Sequence, residues 1–221
     1  MTEAQLAQKF IDWLEGFEIY KEVPHGGIID IVAVMGQMRL AVEVKCSLNF
    51  DVIWQAHSAR GIAHYSYAAV PVKRYWHLHP AQTALCRHLG IGVLAYKELP
   101  QLGYNKGRGE IREMIAPVLN RRPGQLKLEE YMKRSVAGSQ NDRITAFGYF
   151  VEQLTETVMR YARTDTGISI NDAWEKIQYR HYGSLSGFKR SIVEYCNGRV
   201  IKNVEYRDGK LYYKKPEINV Q

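Results

Sequence analysis

Apolar residues Leu6, Phe10, Trp13, Leu14 and Phe17 recur at steps of three and four, the spacing of one helical face. Thr2-x-x-Gln5 has the spacing of a capping box, so the pattern predicts an opening helix that Gly16 stops. Glu18 to Val23 alternates as a short strand, and Pro24-His25-Gly26-Gly27 reads as a loop. Ile28 to Met35 is an apolar, β-branched run and predicts a strand. Gly36-Gln37 suits a type II′ turn, and Met38 to Lys45 is the return strand. Beyond it the pattern predicts a helix from about Val52 to Ala69, a strand from Arg74 to Leu78, a helix from Pro80 to Leu89 and a strand from Ile91 to Tyr96. That order predicts an α/β sandwich around a mixed sheet.

The region from Gly103 to Gln125 is rich in Gly, Arg and Pro and reads as a linker with some helix in it. The chain therefore divides into a first domain over 1–104, a basic linker over 105–139 and a second domain over 140–221. In the last part Ile144, Phe147, Val151, Leu154, Val158 and Tyr161 mark a long amphipathic helix, with Asn141 or Asp142 as its cap. Ser169-x-x-Asp172 opens a shorter helix, and Ser184 starts another that carries Leu185, Phe188, Ile192 and Tyr195 and stops at Asn197-Gly198. Asp208-Gly209, between Val204-Glu205-Tyr206 and Leu211-Tyr212-Tyr213, is a strong hairpin signal. Helix, helix, helix, hairpin is the order of a winged helix-turn-helix, a mainly α domain.

Composition changes this picture little; charge changes it more. Of 221 residues, 46% are apolar and 24% charged, the balance of a folded chain. No apolar run approaches the roughly 20 residues of a membrane span, and the N-terminus lacks a signal-peptide pattern, so no membrane partner and a cytoplasmic location are expected. Cys46, Cys86 and Cys196 are scattered and odd in number, which argues against a disulfide framework and a zinc site. The net charge is +7, and residues 1–104 are balanced, with 9 Lys and Arg against 9 Asp and Glu. Residues 105–221 hold 21 against 14, so the whole excess lies there and points to a polyanionic partner. A neutral first half is also expected to fold alone when cut near Gly103.

The chemistry sits on the first hairpin. With the turn at Gly36-Gln37, Val34 faces Arg39, Val32 faces Ala41, and Asp30 faces Glu43. Directly opposed side chains lie about 4.5–5.5 Å apart at Cβ, and Lys45 shares the face of Glu43. Two facing carboxylates destabilise a sheet, and a divalent cation reverses that sign, since Mg²⁺ binds through one or two carboxylates plus waters and phosphate oxygens. Lysine is a compact charge suited to holding a water or stabilising charge on phosphorus oxygens.

The runs Ile29-Asp30-Ile31-Val32-Ala33-Val34 and Ala41-Val42-Glu43-Val44-Lys45 resemble the PD-(D/E)XK, or restriction-endonuclease-like, superfamily. The resemblance covers about residues 1–100, including the element order. It implies a restriction-endonuclease-like αβββαβ core, Asp30 and Glu43 as ligands of Mg²⁺ or Mn²⁺, and Lys45 as the catalytic lysine. Ile29 replaces the proline of the motif, and Ala59 stands where the Gln-x-x-x-Tyr branch has tyrosine. Gln55 matches a glutamine found early in the following helix of relatives resembling Holliday-junction resolvases and is a fourth candidate. Glu3 or Glu15 could supply the first-helix acid of many relatives. The dispersed histidines, His57, His64, His77, His79 and His88, read as structural or surface residues, and Tyr65, Tyr67, Tyr75 and Trp76 as core.

In the basic half, the helix from Ser184 would enter a major groove with Ser186, Lys189 and Arg190 outward, while Arg207 and Lys210 at the hairpin tip would touch the backbone. The expectation is a Mg²⁺- or Mn²⁺-dependent endonuclease acting on duplex DNA, in restriction, phage attack on DNA or recombination repair, with a homodimer compatible. A non-catalytic DNA-binding regulator on a degenerate nuclease fold and an RNA nuclease are the alternatives.

Overall fold

The computed structural model describes residues 1–73, 75–99, 109–138, 144–162, 166–197 and 200–214. They fall into two units, Met1–Arg143 and Ile144–Gln221. In the first, helix α1 (Glu3–Trp13) begins with the capping box read from the sequence: Thr2 Oγ1 accepts from the Gln5 amide, and Gln5 Oε1 accepts from the Thr2 amide. Leu6, Ala7 and Phe10 are fully buried, while Trp13, expected on the same face, is 47% exposed.

Strands β1 (Glu18–Pro24), β2 (Ile28–Met35) and β3 (Met38–Val44) form an antiparallel meander. Gly36, at φ 58°, provides the positive φ that the first position of a II′ turn demands, and Met35 pairs with Met38 as the turn dictates. Helix α2 (Phe50–Ala59), β4 (Tyr65–Pro71), α3 (Pro80–Leu89) and β5 (Gly92–Glu98) follow, with β3, β4 and β5 parallel. With a sixth strand, β6 (Gly109–Ile115), covalent order and spatial order coincide in a mixed six-stranded sheet, β1 to β6. Helix α1 covers one face, over Ile31, Val42, Val44 and Leu94, while Val52, Ile53, Ala56 and Cys86 from α2 and α3 cover Ala68, Val70 and Val93 on the other. Strands sandwiched this way read as continuous apolar runs, as β2 to β5 do.

Three expectations need correction. The helix predicted over 52–69 stops at Ala59, and Tyr65–Pro71 is the buried central strand β4. The run Ser66 to Val70 is buried, and helical spacing mistook it for a helix because short apolar runs fit both periods. The strand predicted at 74–78 is absent: Arg74 lies outside the described residues, 75–78 are irregular, and Tyr75 is 77% exposed rather than core.

The third correction concerns the linker. Within 105–139, residues 109–138 belong to the first unit. Strand β6 (Gly109–Ile115) pairs along β5 at the sheet edge, and its charged residues Glu110, Arg112 and Glu113 suit an edge strand. The chain then runs along the opposite end of the sheet as a strap. The Asn120 amide donates to the His64 carbonyl, Asn120 Nδ2 to the Arg60 carbonyl at 2.7 Å, and the Gly124 amide to the Gly61 carbonyl at 2.8 Å. A 3₁₀ helix (Glu130–Arg134) then packs on β1, burying Tyr131 and Met132. The strap thus spans from one edge strand to the other. Between Met1–Arg143 and Ile144–Gln221 the net charge divides as +4 and +3, so the neutral-against-basic contrast does not follow the units.

The second unit has helices α4 (Ala146–Tyr161), α5 (Ile170–Lys176) and α6 (Leu185–Asn197), and a sheet of β7 (Ile168–Ser169), β8 (Val204–Arg207) and β9 (Lys210–Tyr213) in the order β7-β9-β8. Thr145 caps α4 through the Gly148 amide; Asn141 and Asp142, the caps read from the sequence, lie outside the described residues. Phe150, Leu154, Phe188, Ile192, Ile201 and Leu211 fill its core. Asp208 and Gly209 both hold positive φ, at 50° and 78°, as a type I′ turn requires. Among the described residues no helix is long and apolar enough to cross a membrane.

Candidate functional site

The β2–β3 register runs from Met35↔Met38 to Ile31↔Val42, and the next position on β2 is Asp30. There the strands part, as β3 goes on pairing with β4 through Glu43↔Ala68 and Val44↔Ala69. Asp30 closes the gap with its side chain: Oδ2 accepts from the Val44 amide at 2.8 Å. Asp30 and Glu43 are 8% and 2% exposed. Lys45, just past the strand, donates from Nζ to Glu3 Oε2 at 2.9 Å. The first turn of α1 therefore adds Glu3 to the three residues of the motif, and Glu15, exposed beyond the end of that helix, is not at this contact.

Burial is the main force on both carboxyls. It raises the Asp30 pKa against the opposing Val44 hydrogen bond. Desolvation, followed by repulsion from Asp30, pushes Glu43 up to about 8. For Lys45 burial pulls downward, but the bond to Glu3 and the charges of Asp30, Glu3 and Glu43 outweigh it and leave the pKa raised. Lys45 thus stays cationic at neutral pH, a donor of charge and hydrogen bonds rather than a general base.

A third buried carboxylate escaped the sequence. Glu22 on β1, 5% exposed, occupies the position between the pairs Lys21↔Ile31 and Val23↔Ile29, opposite Asp30. Its φ of 54° is a left-handed value that is rare for a residue with a Cβ. Its Oε1 accepts from the Gly138 amide at 2.7 Å, and its charge raises Glu43 further. The register that reveals it was not fixed by the run Pro24 to Gly27, read from the sequence as a four-residue loop although Pro24 pairs with Ile28, whereas the two-residue turn at Gly36 fixed the next one.

Gln55 is exposed on α2, and among the described residues no hydrogen bond joins it to Asp30, Glu43 or Lys45. Phe50 and Trp54, one turn apart on the same helix, are 79% and 67% exposed. His64 Nδ1 accepts from the Arg39 amide and His79 Nδ1 from the Ala81 amide, both structural roles. Tyr67 is buried and donates to Glu113. In the second unit Ser186, Lys189, Arg190 and Val193 line one open face of α6, together with Glu194. At the β8–β9 tip Arg207 stacks over the Tyr212 ring at 4.5 Å, and Lys210 is exposed.

Among the described residues no set of three or more His, Cys, Asp or Glu side chains is arranged to hold a metal ion. Two buried carboxyls whose pKa values burial raises, Glu43 being raised also by the charge of Asp30, still suit Mg²⁺, which keeps several waters and takes few protein ligands. No protein-family model, no curated protein and no solved structure matches the chain.

A pH dependence follows. The ordinary pKa of Glu43 is 4.5, and in the fold it is about 8. Between these values the folded state holds a proton that the unfolded state has lost, so raising the pH through this window removes stability from the metal-free protein. A cation at Asp30 and Glu43 must displace that proton. Any stabilisation by Mg²⁺ bound there would therefore grow as pH rises from 6 to 8, with affinity rising by up to about tenfold per pH unit. Melting curves with Mg²⁺ and with EDTA across this range test it, and a Mg²⁺ effect independent of pH would contradict the assignment.

Proposed function

We propose that the protein is a metal-dependent endonuclease of DNA, built on a restriction-endonuclease-like core with a winged-helix second unit. The observation that carries this reading is the meeting of Asp30, Glu43, Lys45 and Glu3 where β2 and β3 part. Supporting the core are the order α-β-β-β-α-β and the central parallel pairing of β3 with β4. Supporting the second unit is the sheet order β7-β9-β8 beside three helices.

Mg²⁺ or Mn²⁺ held by Asp30 and Glu43 would polarise the scissile phosphate and acidify a water. The chain's own groups do the rest. Asp30 is oriented by the Val44 amide, so its free oxygen keeps one direction. Lys45, cationic and held by Glu3, directs an ammonium toward the phosphate or the attacking water. Burial of Glu43 keeps its carboxylate underhydrated, and a cation relieves that cost.

The test is incubation of the protein with supercoiled plasmid, linear duplex, single-stranded DNA and RNA, in Mg²⁺ and in EDTA. Nicking or linearisation of plasmid only with Mg²⁺ supports the proposal; cleavage of RNA alone moves the substrate, and no cleavage of any substrate sinks it. For the second unit, Lys189 and Arg190 share the open face of α6 at successive positions. Reversing both to Glu is expected to weaken duplex binding by roughly tenfold or more at low salt and to flatten its salt dependence, read by fluorescence anisotropy. Unchanged affinity would remove α6 from the DNA interface.

A further inference from the structure

The strap ends at Gly138, and three observations tie that residue to the site. Its amide is bonded to Glu22. Its φ is 71°, left-handed. A Cβ placed on it would lie 3.0 Å from the Glu3 carbonyl carbon, 3.2 Å from the Ala4 nitrogen and 3.2 Å from the Glu3 oxygen, all backbone atoms. Glycine is therefore required twice, for the backbone conformation and for the close approach. The preceding Ala137 is 3% exposed and belongs to the core beneath α1, so the strap is anchored where it meets the helix.

On the other side of this contact, Glu22 bears the steric cost of a left-handed backbone with a Cβ, besides the burial of its carboxylate. Strain of this kind persists where surrounding structure over-determines it and gathers at functional sites. What the strained carboxylate holds is the strap, and what the strap touches is the peptide of Glu3, whose side chain holds Lys45.

We infer that Glu22 and Gly138 form a latch that positions Glu3, and through it the Lys45 ammonium. The inference rests on the nuclease reading for its catalytic consequence. Glu22 and Gly138 are positioning residues: neither is assigned a contact with substrate or metal. A shift of the first turn of α1 by a fraction of an ångström would move Glu3 off its 2.9 Å contact and let Lys45 swing. Misplacement of a catalytic group by about 1 Å costs on the order of a hundredfold in rate.

The test uses the full chain with Glu22→Ala, Glu22→Gln and Gly138→Ala. The glutamine oxygen can still accept from the Gly138 amide, whereas alanine cannot. Glu22→Ala and Gly138→Ala are expected to lower kcat for plasmid cleavage by roughly tenfold or more, with KM for DNA within about twofold, while calorimetric Mn²⁺ affinity is unchanged in Gly138→Ala and equal in Glu22→Ala and Glu22→Gln, which both remove the charge that raises Glu43. Glu22→Gln should recover most of the lost rate. A glutamine variant as slow as alanine would overturn the latch, whatever its Mn²⁺ affinity; full rate in Glu22→Ala would overturn it as well. Should Gly138→Ala fail to fold, the alanine–glutamine pair at Glu22 decides.

The Lys45 ammonium resonance of ¹⁵N-labelled protein provides a readout independent of cleavage. It should move in Glu22→Ala and return in Glu22→Gln. If the wild type cuts nothing while this resonance behaves as stated, the nuclease reading fails and the latch stands. An unmoved resonance removes the latch whatever the activity.

Discussion

Glu43→Gln is expected to abolish Mg²⁺-dependent cleavage, by roughly a thousandfold or more, while leaving a folded protein that is more stable than the wild type in EDTA at pH 8 and above. The substitution keeps the size and planarity of a side chain that is only 2% exposed, so packing survives. It removes the charge that burial and Asp30 disfavour, the two largest of the causes that push Glu43 up to about 8. Above that value the wild-type chain must carry an ionised, buried Glu43 beside Asp30, and the amide relieves it. Lys45→Ala separates the roles. Lysine is no metal ligand, so Mn²⁺ titration should resemble wild type while cleavage is lost. Metal-free melting at pH 8.5 reads the first effect and plasmid nicking the second. Near-wild-type nicking by purified Glu43→Gln would falsify the site. A collapse of metal affinity in Lys45→Ala with cleavage intact would invert the assignment of Lys45.

The parts of this site that were legible in the sequence are those set by short-range geometry. A two-residue turn fixes the register of a hairpin, so Gly36-Gln37 was enough to give the pairs from Met35↔Met38 to Ile31↔Val42; the expected pair of Asp30 with Glu43 lies one step beyond that ladder, where the strands part and Asp30 accepts from the Val44 amide instead. Thr2 and Gln5 announced the start of α1, and with it the first turn that carries Glu3. What the pattern missed depends on contacts between residues far apart. Tyr65 to Pro71 is a strand because it pairs with β3 and β5, not because of local propensity, and a helical reading was equally open. Arg121-Arg122-Pro123-Gly124 looks like a linker by composition. Its Gly124 amide donates to the Gly61 carbonyl and its Gly124 carbonyl accepts from the Arg39 guanidinium on β3, contacts that no local pattern encodes. Glu22 looked like the polar member of an alternating strand, and only the fold makes it a buried, left-handed residue 116 positions from its partner.

The same non-local contacts reverse an expectation about where the chain can be cut. A chain ending at Gly103 is expected not to fold, although its charge is balanced and its predicted elements look complete. It would lose β6, which covers β5 from Val93 to Glu98, and leave a hydrophobic strand with an open edge. It would lose Ile115 from the α2–α3 side of the core, and Tyr131, Met132 and Ala137 elsewhere in the unit, all buried. Each large side chain among these contributes about 1.5–3 kcal/mol, against a net stability of about 5–15 kcal/mol for a whole domain. The carbonyls of Arg60 and Ala63 would lose the Asn120 amide, and Glu22 would be left buried without the Gly138 N–H. A chain ending at residue 143 keeps every one of these contacts and is expected to melt cooperatively, with slow Mg²⁺-dependent nicking and weaker DNA affinity than the full chain. Circular dichroism melts of the two truncated chains decide the matter. A cooperative transition from residues 1–103 would mean that β6 and the strap only decorate a self-sufficient sheet.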